Sequence, residues 1–288
     1  MKNLRSIFLL LICFFVTLNM KGQIGAFVEN KGQFHDNVRY KAQLPYGNVF
    51  LEYNRLTFLF HNEEDHNELF QHPRIDHKES YIRRSHAFRV NFLNARLYPR
   101  LLPSKKGPGY LNYFLGNDPE KWASQVLGYN EILYKEVYPN IDLKYYSHYG
   151  SIKYDWIIKP GGKIEDIKME YEGVNSIALE GDEVHILTSV NTLVETMPKC
   201  YFETEKGQVE TTCFYTLEGN TIGFRQKEIS DGPAQKLVID PQLIFSTYSG
   251  SYGDNFGFTA TYDSRGNLYA GGITNGDDGF YPVTNGVF

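Results

Sequence analysis

Cysteine is nearly absent: the 288 residues hold three, and one of them, Cys13, lies in an N-terminal apolar run. The other two, Cys200 and Cys213, lack the Cys-x-x-Cys spacing of zinc and dithiol redox motifs, and so few exclude a dense disulfide framework. Basic charge is also short. Lys and Arg number 29 against 34 Asp and Glu, a net charge of −5. A binder of nucleic acid or of an anionic membrane needs a basic face, so the net charge argues against both classes. Beyond residues 7–18 no apolar run approaches the roughly 18 residues of a membrane-spanning helix, which predicts a soluble mature chain without a membrane span. There is no Gly-x-Ser-x-Gly elbow, Walker loop, dinucleotide fingerprint or His-Glu-x-x-His pair. Those gaps argue against the common enzyme classes without touching the rarer ones.

What the chain does hold is aromatic. Tyr (22) and Phe (20) supply nearly all of a 15% aromatic content, beside 42% hydrophobic and 22% charged residues. That is not the composition of a disordered chain, and the length, a prior of about two domains, is enough to bury a core. Aromatics suit half-buried pleated surfaces, and the order of residues agrees. Leu56, Phe58 and Phe60 alternate, as do Phe88, Val90 and Phe92; Ile141, Leu143 and Tyr145; Tyr154, Trp156 and Ile158; Val209, Thr211, Cys213, Tyr215 and Leu217; Ile222 and Phe224. Period two marks strands with one buried face. Tyr149-Gly150, Gly181-Asp182, Lys206-Gly207 and Gly219-Asn220 lie between such runs as tight hairpin turns. Consecutive hairpins make antiparallel sheets, so the predicted class is all-β, an antiparallel β-sandwich-like region with minimal helix.

One short helix is expected at Asp118-Pro119-Glu120-Lys121-Trp122, with Asp118 as cap and Pro119 at the first helical position. Trp122 and Val126 would then share a face and pack on the sheet. Residues 101–109, with Pro103, Pro108, Gly107 and Gly109, read as a breaker and a subdomain break. From about residue 244 the texture changes. Nine of the 26 glycines fall between Gly250 and Gly286, which marks a second kind of module.

The N-terminus reads as an address. Lys2 and Arg5 precede the apolar run, a polar stretch follows, and small Gly22 suits the position before cleavage. Residues 1–22 are expected to be a signal peptide; an uncleaved anchor is the alternative. A lipoprotein is disfavoured because bulky Ile12 precedes Cys13. Cleavage would remove Lys2, Arg5 and Lys21 and take the charge from −5 to −8. Export permits a disulfide between Cys200 and Cys213. Around a two-residue loop at Lys206-Gly207, Glu205 pairs with Gln208, and Cys200 falls opposite Cys213 at a non-hydrogen-bonded pair with Cα atoms about 4.5 Å apart. A three-residue loop would shift that register and break the pairing, and Lys at a positive φ is uncomfortable, so both loops stay open.

Four stretches carry a resemblance: Phe27-Val-Glu-Asn-Lys-Gly-Gln-Phe34; Asn112-Tyr-Phe-Leu-Gly-Asn-Asp-Pro-Glu-Lys-Trp122; Val137-Tyr-Pro-Asn-Ile-Asp-Leu-Lys-Tyr-Tyr146 with Lys153-Tyr-Asp-Trp-Ile-Ile-Lys-Pro-Gly161; and Leu237-Val-Ile-Asp-Pro241. Together they resemble the uncharacterised N-terminal domain of exported Bacteroidetes-type proteins, which precedes SBBP-type β-propeller repeats. Phe245-Ser-Thr-Tyr-Ser-Gly-Ser-Tyr-Gly-Asp-Asn-Phe-Gly257, Asp263-Ser-Arg-Gly-Asn-Leu-Tyr-Ala-Gly-Gly272 and Tyr281-Pro-Val-Thr-Asn-Gly-Val-Phe288 resemble the start, central hairpin and end of one such repeat. Ser249-Gly250-Ser251 departs from its usual double glycine, and the 275–279 loop is unusual. The resemblance implies a β-rich domain over 23–243 and a first propeller blade over 244–288. A lone blade of four short strands cannot bury its faces, so the functional unit is expected to be longer. It further implies a large surface-exposed protein, often sorted by type IX secretion and serving adhesion. It brings no catalytic residues.

Five of the eight histidines (His61, His66, His72, His77 and His86) lie among Glu63, Glu64, Asp65, Glu68 and Asp76. Imidazole and carboxylate are metal ligands, but the spacing fits no ligand motif and a charged, solvated insertion explains the segment better. Asp254, Asp263, Asp277 and Asp278 lack the pattern of a calcium loop, and Asp263 to Asn267 reads as a turn. Tyr145, Tyr146, Tyr149 and Tyr154 with His148 could form an aromatic platform, yet adjacent Tyr145 and Tyr146 point to opposite faces, which favours core packing. The acid pairs Asp118 with Glu120 and Asp142 with Asp155 are weighed as catalytic carboxylates and set aside, Asp118 being a helix cap. No cofactor, metal or catalytic residue is expected. The expectation is a non-catalytic, exported interaction, adhesion or scaffold module. It would be secreted or held at the outer cell surface, or in the periplasm as the alternative, and would meet a protein or glycan there. An accessory region of a carbohydrate-active enzyme is the competing reading.

Overall fold

The computed structural model describes residues 26–44, 46–66, 82–148, 151–226, 235–245, 254–262 and 268–275. The alternating runs fold as antiparallel strands: β1 (Phe27–Glu29), β2 (Tyr40–Leu44), β3 (Gly47–Leu51), β4 (Arg55–His61) and β5 (Ser85–Phe92). The long ribbon β6 (Arg100–Tyr113) and β7 (Ala123–Tyr138) follows, then β8 (Ile141–His148), β9 (Ser151–Ile158) and β10 (Lys168–Glu172). β11 (Ser176–Glu180), β12 (Glu183–Leu187), β13 (Thr192–Thr204), β14 (Gly207–Thr211), β15 (Cys213–Glu218), β16 (Thr221–Gln226) and β17 (Lys236–Phe245) complete the main sheet. The all-β class with minimal helix is observed.

The predicted pair of separate sheets is replaced by one 17-stranded sheet that curls into an almost closed barrel. The reason lies in strands that serve both layers. One edge of β7 pairs with β1 near Tyr129 and with β8 from Glu131 to Tyr138, while β6 runs along the other edge. Two arms leave β7 there. The first runs β1, β2, β3, β4, β5, β10, β16, β15; the second runs β8, β9, β17, β13, β12, β11. On the far side the chain crosses between arms again. β14 pairs with β13, and one residue later, past Thr212, β15 pairs with β16. Strands that bend from one layer to the other are how orthogonal β packings turn their corners. Among the described residues no ladder joins β15 to β13, although the two lie close, so a seam remains there.

The core fills the space between the arms. Trp156, Tyr134, Phe27 and Phe60 are its largest fully buried side chains. Trp156 meets Phe92 from the opposite arm edge-on at 5.7 Å and Tyr138 at 5.9 Å. Phe88, Val90, Phe92, Ile141, Leu143, Tyr145, Trp156 and Ile158 face inward as their alternation predicts, whereas Val209 is exposed. Val209 departs because, among the described residues, β14 has a ladder only with β13.

Local chemistry accounts for the turns. Gly181 and Gly219 take positive φ in two-residue loops closed by Glu180↔Glu183 and Glu218↔Thr221. Tyr149-Gly150 lies outside the described residues. Residues 101–109 are not a break between subdomains but the middle of β6, with Pro103 opposite Ile132. Among the described residues β6 has a partner on one side only, and an edge strand tolerates prolines that a central one would not. The expected helix is a single 3-10 turn, Pro119–Lys121, capped by Asp118 through the Glu120 amide at 3.1 Å. Because β7 starts at Ala123, Trp122 does not join Val126 on the sheet; Val126 is buried and Trp122 is exposed. In the segment expected to be a propeller blade, the described residues show β18 (Asp254–Tyr262) paired with β19 (Leu268–Asn275).

Candidate functional site

Two places combine chemistry with position: the ribbon tip and a carboxylate inside the barrel. The tip is the stretch from Tyr110 to Trp122. Tyr110, Phe114, Leu115 and Trp122 are 58, 62, 62 and 43% exposed, although their neighbours Ala123 and Val126 are buried. The rings of Phe114 and Trp122 meet edge-on at 5.4 Å, and the Trp122 indole donates to the Gly116 carbonyl at 3.2 Å. Gly116 sits at φ 71°, where a side chain would be strained. At the root, Phe34 packs edge-on against Tyr113, Lys31 donates to the Gln125 carbonyl, and Asn112 accepts from the Gln125 amide. Phe114 and Trp122 are therefore held in a defined arrangement outside the core, beside exposed Tyr110 and Leu115.

Inside the barrel, β13 places Glu195 on the buried face beside Leu193. Tyr154 donates to its Oε2 at 3.0 Å, Tyr215 at 3.4 Å, and Tyr171 is a third hydroxyl partner. Burial raises the Glu195 carboxyl to about 7, and the three hydroxyls hold it from rising further. Burial likewise pushes Tyr145, Tyr154 and Tyr171 well above the ordinary phenol range. A cavity of about 50 Å³ borders Glu195, lined mostly by apolar groups such as Leu56, Val90, Ile152 and Met169. An apolar cavity that admits benzene measures roughly 150 Å³, so this one suits a small guest such as water rather than an organic ligand. Sequence reasoning passed over Glu195; its only signal is a shared parity with Leu193 in an otherwise buried run.

The other candidates are scattered. His61 contacts Ser85 at 2.8 Å, His66 contacts Arg83 at 3.1 Å, and His86 bridges Ser189 at 2.9 Å and the Gly173 carbonyl at 2.8 Å. Asp65 is held by Arg84 at 2.8 Å, and those hydrogen bonds bring its carboxyl down to about 2. His72, His77, Glu68 and Asp76 lie outside the described residues, as do Asp263, Asp277 and Asp278. Among the described residues, no group of three His, Cys, Asp or Glu is placed to hold a metal ion. Tyr145 packs inward against Tyr134 and Tyr154 at 5.7 and 5.9 Å, while Tyr146 faces outward and donates to Asp155 at 3.0 Å.

Asp142 accepts from the Glu136 amide at 2.8 Å and pairs with Lys159 at 2.6 Å; Asp155 pairs with Lys144 at 3.0 Å. Each acid thus has a structural partner of its own. Cys200 and Cys213 are buried free thiols. Their expected hairpin register is not formed, because Thr204 pairs with Gly207 and Cys200 therefore with Thr211. The loop residues are Glu205 and Lys206, and Gly207 takes the positive φ of 115°, which spares Lys206.

Among the described residues no helix is long and apolar enough to cross a membrane. No curated protein and no solved structure matches the chain. A family model described as a domain of unknown function, DUF7948, matches residues 27–242, the barrel from its first strand to β17, and the chain belongs to that family.

Proposed function

We propose that the barrel is a non-catalytic interaction and scaffold module of an exported surface protein, and that the β6–β7 tip is its contact surface. The observation that carries this reading is the exposed set Tyr110, Phe114, Leu115 and Trp122, held out of the core at the tip of the β6–β7 ribbon. Aromatic anchors with an aliphatic neighbour favour a protein partner over a sugar, since Leu115 offers nothing to a sugar ring beyond bulk. The rest of the reading draws on the sequence. Residues 1–22 serve as the signal peptide, and 244–288 form the first SBBP-type blade of a longer Bacteroidetes-type repeat protein exported by type IX secretion.

The test is binding of the labelled protein to cells of the producing strain that lack its gene. Binding that is lost with Leu115→Ser and Trp122→Ser, and lost after the cells are treated with protease, is the expected result. Binding that survives protease and appears on a glycan array would replace the protein partner with a sugar. Turnover of any member of a glycosidase substrate panel would overturn the non-catalytic reading.

A further inference from the structure

We propose that Cys200 and Cys213 are oxidised to a disulfide that ties the two arms together at the barrel seam. The geometry differs from the hairpin pairing that the spacing alone suggests. Cys200 belongs to β13 in the second arm, and its cross-strand partner is Thr211. The chain then bends at Thr212 and enters the first arm, where Cys213 pairs with Gln226. The bend brings Cys213 back over Cys200, so that the Cys200 thiol hydrogen-bonds both to the Cys213 thiol and to its backbone. Both side chains belong to the buried core, at 4 and 0% exposure. A thiol is a weak hydrogen-bonding group, and two of them in contact contribute little to a core as thiols. As a disulfide they would place a covalent bond where no ladder joins β13 to β15.

The chemistry balances with a disulfide oxidant, either a small-molecule disulfide or a dithiol-disulfide oxidoreductase. One cysteine, deprotonated, attacks the oxidant's S–S bond, forms a mixed disulfide and releases one oxidant thiolate. The second cysteine, also deprotonated, attacks the mixed disulfide at the protein sulfur. The Sγ–Sγ bond forms and the second oxidant thiolate leaves. Two electrons pass to the oxidant, and the two protons lost by the cysteines reprotonate the leaving thiolates. The hydrogen bond with Cys213, and burial after it, raise the Cys200 thiol, so Cys200 presents almost no thiolate in the folded, reduced chain. Oxidation therefore belongs to the folding chain, before the corner closes.

Trypsin separates the pair, since Lys199, Lys206 and Arg225 place Cys200 in peptide 200–206 and Cys213 in peptide 207–225. The protein, denatured and refolded in a mixture of oxidised and reduced glutathione, is alkylated and digested without reductant. The expected product is the two peptides joined, two hydrogens lighter than their sum, and separated by reductant. Reduction should lower Tm by roughly 5–10 °C, and the Tm of Cys213→Ser should not respond to reductant. Two separately alkylated peptides, or glutathione adducts, from refolded wild-type protein would overturn the proposal. That readout does not depend on the variant folding.

Discussion

Glu195 is the residue on which pH should act most strongly. Folded, its carboxyl titrates near 7; the unfolded value is 4.5. Between those values the folded chain holds a proton that the unfolded chain has lost, so stability falls as pH rises through this window. The separation is worth on the order of 3 kcal/mol. Denaturant unfolding from pH 4.5 to 8 should show that decline in the wild type and a flatter profile in Glu195→Gln, with the variant ahead at pH 8. Parallel profiles would mean that the carboxyl is not buried among the tyrosines. Tyr134 is a second single-residue case. Its hydroxyl donates to the Glu52 carbonyl at 2.7 Å in the core. Tyr134→Phe leaves that acceptor unsatisfied and should lower unfolding free energy by about 1–3 kcal/mol, read by the same method.

At the scale of elements, close approach and overhang set opposite expectations. β3 and β4 meet at Gly47, where an added Cβ would strike the Leu59 carbonyl and the Phe60 ring. Gly47→Ala should destabilise by about 1–3 kcal/mol in chemical denaturation, through backbone displacement at a site with no flexible neighbour to yield. The β6–β7 tip should behave otherwise. Phe114 and Leu115 are mostly exposed, so Phe114→Ser and Leu115→Ser should leave Tm within about 2 °C of wild type in calorimetry. A larger fall would assign those side chains to packing rather than to contact. The cap on the short turn was legible from Asp118-Pro119, because capping is local chemistry. The fate of Trp122 was not, since it depends on where β7 begins.

Over the whole molecule, the ladders connect distant parts of the chain. β1 pairs with β7 about a hundred residues on, β5 with β10, and β9 with β17. Such non-local pairing requires loop closure before it is rewarded, so refolding should take milliseconds to seconds or longer. Stopped-flow fluorescence from Trp156 and Trp122 would follow it; completion in microseconds would be inconsistent with this topology.

Residue order alone made legible the strands, most of their buried faces and the two-residue turns at Gly181 and Gly219. These follow from period-two patterning and from the φ freedom of glycine, both local. Alternation with Ile141 and Leu143 also placed Tyr145 on the buried face, and opposite-facing neighbours in a strand put Tyr146 on the other. That β7 and the bend at Thr212 join the layers into one curled sheet emerges from long-range pairing, because partner choice among many similar strands is not written in any one of them. Long-range pairing with β7 likewise makes residues 101–109 part of an edge strand that tolerates its prolines. Glu195 meets three tyrosines from β9, β10 and β15, and Cys213 meets Cys200 across a corner rather than a hairpin. Both depend on contacts between segments whose spacing carries no signal.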